Sequence, residues 1–102
     1  MSHEQLNIYY EESKKNPNEI IFMQVGGFYE AYYFPNDIGC GKQVANLLRI
    51  HLTCKRPNDP WTNTNPKFAG FPLNSLNKFL TILNDMKYCL LYTSPSPRDR
   101  EK

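Results

Sequence analysis

The chain has 102 residues, 40% of them hydrophobic and 22% charged, with a formal net charge of +2. That length allows one domain with a small core, and so even a balance excludes a domain that grips nucleic acid chiefly by neutralising phosphates. No apolar run approaches the roughly 20 residues needed to cross a bilayer, and Met1–Leu6 lacks signal-peptide character, so the expectation is a soluble intracellular protein with no membrane partner. Cytoplasm or nucleoid, viral factory and mitochondrion are not distinguished.

Ser2 followed by Gln5 has the form of a capping box, and Leu6, Tyr9, Tyr10 and Ser13 recur at helical spacing until Asn16-Pro17, which predicts a helix over roughly 3–15. Ile20–Val25 has the length and apolar character of a buried strand. Gly26 and Gly27 then allow a sharp turn and close approach by another molecule, leading into a second strand over 28–34. Because a strand reverses its side chains at each residue, Phe28 and Glu30 share one face and Tyr29 points the other way. A benzyl ring and a carboxylate are thereby set side by side, a wedge with an adjacent hydrogen-bond acceptor.

Phe34-Pro35-Asn36-Asp37 breaks that strand, and Val44, Leu47 and Leu48 mark a helix over about 37–48, loosened at its start by Gly39 and Gly41. Ile50–Cys54 alternates as a strand does, with His51 on its surface, before Lys55-Arg56 and a polar loop over 57–66 that contains Trp61. Lys67–Pro72 reads as a short strand or extended entry. Leu73, Leu76, Phe79, Leu80, Leu83 and Met86 then give the clearest amphipathic helix of the chain. The fold class expected is α+β, a small mixed sheet flanked by about three helices.

Cys40, Cys54 and Cys89 form an odd set without Cys-x-x-Cys spacing, so free thiols in a reducing compartment are expected, with no zinc or other metal site and no disulfide. Residues 89–99, Cys-Leu-Leu-Tyr-Thr-Ser-Pro-Ser-Pro-Arg-Asp, match one translated frame of a transposase-type sequencing adapter. The expected division is therefore 1–88 native, truncated at its C-terminal end, and 89–102 read-through. The tail supplies +1 of the charge (Arg98, Arg100 and Lys102 against Asp99 and Glu101) and leaves +1 on the rest.

The run Gly26-Gly27-Phe28-Tyr29-Glu30 resembles the Gly-x-Phe-Tyr-Glu motif of the amino-terminal mismatch-recognition domain of the MutS family of DNA mismatch-repair proteins. Ile50–Arg56 is similar to that family's strand ending in Leu-Thr-Lys-Arg, and Ala69-Gly70-Phe71-Pro72 to its Ala-Gly-Ile/Phe-Pro turn before a helix. The Gly-Phe-Pro form, with Ser75-Leu76 and Lys78-Phe79-Leu80 after it, looks closer to the divergent MutS-like proteins of giant viruses and octocoral mitochondria than to the usual bacterial enzyme. Two departures stand out: Gly27 replaces a residue that is commonly not glycine, and Cys54 is inserted between Thr53 and Lys55-Arg56.

The resemblance implies that Phe28 wedges into the base stack and Glu30 hydrogen-bonds the displaced base, with double-stranded DNA bearing a mismatch or small loop as partner. A mispaired base is already poorly stacked, so a wedge discriminates by deformability rather than by sequence. Lys55 and Arg56 are candidates for phosphate contact. The fragment has no phosphate loop and is expected to be no enzyme and to hold no cofactor; the family implies a dimeric parent that is a DNA-dependent ATPase, with ATP and Mg in a domain absent from this chain. Two other classes compete: a thiol enzyme pairing Cys40 or Cys54 with His51, which lacks an orienting third residue, and an aromatic platform for single-stranded nucleic acid without a repair role.

Overall fold

A computed structural model describes residues 3–83 and 88–92. Helix α1 (His3–Lys15) is followed by β1 (Ile20–Val25), β2 (Phe28–Tyr33), α2 (Gly41–Leu48), β3 (Thr53–Cys54), β4 (Lys67–Pro72), α3 (Leu76–Leu83) and β5 (Tyr88–Tyr92). The five strands form one mixed sheet in the order β3-β4-β2-β1-β5, parallel only between β1 and β5. This is the small α+β fold that the sequence predicts. The capping residue Ser2, the helical position Met86 and the tail from 93 onward lie outside the described residues. Residues 89–92, expected as read-through, pair with β1 as part of β5.

Strand alternation sorts the side chains into two cores. On one face Ile20, Phe22, Tyr29, Ala31, Ala69 and Phe71 pack under α2 and α3. On the other, Ile21, Met23 and Tyr32 pack under Leu6 and Tyr9 of α1, with Phe34. Tyr9 does more than fill space. Its hydroxyl donates to the Ile21 carbonyl at 2.6 Å and accepts from the Tyr32 amide at 3.1 Å. The β1–β2 register extends from Val25↔Phe28 only to Met23↔Glu30, so this phenol bridges the strands where their ladder stops. Cys40 closes the same gap, its sulfur accepting from the Ile21 amide at 3.3 Å.

Three boundaries differ from expectation, each for a local reason. The second helix begins at Gly41, because Pro35–Asp37 forms a separate turn in which Asn36 and Asp37 take left-handed φ of 74° and 64°. Gly39 and Gly41 do not loosen the helix. A Cβ on Gly41 would stand 2.8 Å from the Tyr32 carbonyl carbon, and one on Gly39 2.2 Å from its oxygen, so bare backbone lets α2 approach β2. The strand expected over 50–54 shrinks to Thr53–Cys54, since Arg49 takes a left-handed φ of 58° and Ile50 donates back to the Ala45 carbonyl at 3.1 Å. Ile50 and Leu52 pack against the core as the exit from α2, and His51 is exposed outside any strand. Finally, Leu73–Ser75 forms a short 3-10 turn before α3.

Candidate nucleic-acid interface

The β1–β2 hairpin tip is built for presentation. A two-residue hairpin loop of the twist-compatible kinds needs a positive φ at its first residue, and Gly26 supplies it at 59°. The Leu73 amide donates to the Gly27 carbonyl at 3.0 Å, tying the tip to the end of β4. Phe28 is the first residue beyond the turn, opposite Val25 on one side and Pro72 on the other. The residue is 49% exposed, more than any other large hydrophobic residue among those described. Fully burying a Phe is worth about 1.5–3 kcal/mol, so on the order of 1 kcal/mol remains available to a partner that covers it.

Glu30 lies on the same face, as alternation requires, but it is not openly presented. Only 5% of the residue is exposed. One carboxylate oxygen accepts from the Tyr32 hydroxyl at 2.5 Å and the other from the Lys55 ammonium at 2.7 Å. Burial and the neighbouring carboxylate push the Tyr32 phenol far above its ordinary range, so it stays a donor. Across on β4 the partner of Glu30 is Gly70, where a Cβ would stand 3.2 Å from Glu30 Cγ. A larger residue there would crowd the carboxylate. Lys55 is half exposed, and its ammonium also sits 4.3 Å from the centre of the Phe68 ring.

Arg56, the other basic candidate, is directed elsewhere. It pairs with Asp59 at 3.0 Å and donates to the Thr64 carbonyl at 3.3 Å, with more than half of its side chain exposed. Buried Asn65 organises this loop by donating to the carbonyls of Arg56 and Pro60 at 3.0 and 2.9 Å and accepting from the Arg56 amide. Trp61 folds back, its indole N–H donating to the Tyr33 carbonyl at 3.0 Å. The chain thus brings Phe28, Glu30 and Lys55 to one sheet face, while Arg56 belongs to the adjoining loop. Tyr32 and Gly70 were the residues that sequence reasoning missed. Both carried a legible signal: Tyr32 lies two residues beyond Glu30 and so on its face, and Gly70 is the bare position of the Ala-Gly-Phe-Pro run.

The residues proposed for a thiol enzyme are placed apart from such chemistry. The Cys40 sulfur is buried at 3.2 Å from the Tyr9 hydroxyl, and burial pushes its thiol up, away from the thiolate form. Cys54 faces the Asn65 carbonyl at 3.6 Å.

Residues 4–91 match the family model of MutS domain I, a span that takes in β1 to β4 and all but the last residue of β5. The chain belongs to the MutS family, as its domain I. It is a mismatch-recognition module of that family, and DNA is its partner class. Within MutS domain I the exposed hairpin tip of this chain and the carboxylate behind it are the sequence that carried the resemblance. No curated protein matches the chain.

Proposed function

We propose that the chain recognises mispaired or bulged bases by inserting Phe28 into the weakened stack and offering Glu30 to the displaced base. The observation that carries this reading is the half-exposed Phe28 ring at the end of a glycine-turned hairpin, two residues from an otherwise buried carboxylate. Unstacking a base step costs a few kcal/mol. A ring backed by a paired five-stranded sheet can bear that load, where one on a free loop would yield. Glu30 offers an acceptor that a displaced base can use and a base held in an intact stack cannot, which sharpens the contrast between damaged and intact duplex. We place the module in a larger MutS-like protein whose ATP and Mg site lies in a different domain and whose active form is a dimer.

The single-strand platform has one observation in its favour. Tyr33 and Trp61 stack at 5.2 Å with an interplanar angle of 32°, with Lys42 5.9 Å from the Tyr33 ring centre and Lys67 4.3 Å from that of Trp61. These rings already occupy one another and carry cations. Equilibrium binding to three probes of one length separates the readings. A duplex with one G·T pair should bind more tightly than the matched duplex, and both more tightly than the single strand; preference for the single strand would favour the platform.

A further inference from the structure

The mismatch reading asks Glu30 to touch a base, yet both of its oxygens are occupied and the residue is almost closed to solvent. Each oxygen keeps a spare lone pair, but at 5% exposure a base donor reaches it only where a covering partner moves aside. Tyr32 is only 1% exposed and its hydroxyl is fixed by the packing under α1, so it cannot be that partner. Lys55 can. Its side chain is 48% exposed against 6% for that of Glu30, it follows the two-residue edge strand Thr53–Cys54 rather than being paired within it, and the Phe68 ring offers its ammonium a second seat. A cleft of about 210 Å³, lined by Tyr32, Lys55, Arg56 and Asn65 among others, opens beside the pair. A phosphate oxygen entering it meets the Lys55 ammonium, while the Arg56 guanidinium is held by Asp59.

Resting on that reading, we infer that Lys55 is a specificity-determining latch. On intact duplex it stays paired with Glu30 and holds the carboxylate in place. When a displaced base supplies a donor to Glu30, the Lys55 ammonium transfers to a backbone phosphate. Charge is conserved throughout: one ion pair is exchanged for a base–carboxylate hydrogen bond and a lysine–phosphate pair. Lys55 therefore contributes a phosphate contact only on mismatched DNA. This differs from an ordinary basic residue, which neutralises phosphate on any duplex.

Counterion release measures that contact directly, because each phosphate neutralised on B-DNA adds about 0.9 to the steepness with which log K falls against log salt. Binding of the full chain to G·T and matched duplexes, followed across a salt series, should show Lys55→Met losing about 0.9 of slope on the G·T duplex and none on the matched one. Glu30→Gln frees Lys55 everywhere, so the matched duplex should gain about 0.9 of slope, and adding Lys55→Met to Glu30→Gln should cancel the gain. Equal slope loss on both duplexes for Lys55→Met, or no loss on either, overturns the latch. A merely structural role would weaken binding without separating the duplexes. Failure of the mismatch reading shows differently: wild type would then bind both duplexes alike, and Phe28→Ala would change nothing. A DNA-free arm tests the resting pair in either case. Acetylation of Lys55 by an amine-reactive ester, read by mass spectrometry, should run several-fold faster in Glu30→Gln than in wild type, and an unchanged rate refutes the pairing.

Discussion

A carboxylate gripped on one side by a buried phenol and on the other by a half-exposed ammonium has one permanent partner and one exchangeable partner. Tyr32 is the permanent one. Removing its hydroxyl strips a charge-assisted hydrogen bond from a buried acceptor, a loss of about 1–3 kcal/mol. Tyr32→Phe should therefore lower the urea midpoint of unfolding with little change in the denaturant slope, while leaving the exposed Phe28 ring where it is. Stability equal to wild type would mean that the hydroxyl does not hold Glu30. At this scale much was legible in the sequence. Alternation alone put Phe28 and Glu30 on one face, and the structure keeps them there. The Lys55 pairing was not legible, because it joins residues 25 positions apart through the return of β4, and no local pattern encodes such a contact.

Among the elements, α1 carries an unusual duty for a surface helix. Its Tyr9 hydroxyl stands in for a rung of the β1–β2 ladder, so the helix is hydrogen-bonded into the sheet rather than only packed on it. Burial raises this phenol well above its ordinary value near 10, and Tyr32 shifts the same way. The unfolded chain then loses these protons first. Stability should hold up to about pH 10 and decline above it, since a group whose folded pKa is raised contributes fully below its unfolded pKa and loses that contribution as pH rises. Tyr9→Phe should reduce the alkaline decline and lower stability at neutral pH by about 1–3 kcal/mol, because the Ile21 carbonyl and Tyr32 amide lose their partner. Urea unfolding of both proteins at pH 7 and pH 11 checks this. An alkaline decline as steep in the variant as in wild type would contradict it. The helical spacing of Leu6, Tyr9 and Ser13 made α1 readable, but that pattern reports which side is buried, not what a hydroxyl at its centre bonds. The shortened third strand had a similar cause. Ile50-His51-Leu52 alternates correctly for a strand, yet the left-handed Arg49 turns the chain and commits the Ile50 amide to the end of α2.

Taken as a whole, the molecule is one sheet with a face for packing and a face that is open at its hairpin end. Helices α2 and α3 cover the first, and α1 covers the second around Tyr32 and Phe34, while Phe28 at the far end of β2 remains exposed. Six residues of β2 at about 3.3 Å each separate the packed end from the presented end. That length lets one strand be both anchor and probe. With a net charge of only +2, the chain draws little on general attraction to phosphate, and in the proposed reading its selectivity comes from Phe28. The decisive measurement compares wild type with Phe28→Ala for binding to G·T and matched duplexes at one salt concentration. Wild type should prefer the G·T duplex, and Phe28→Ala should bring that ratio close to one while affinity for matched DNA changes little. A variant that still prefers the mismatch as strongly as wild type would contradict the account.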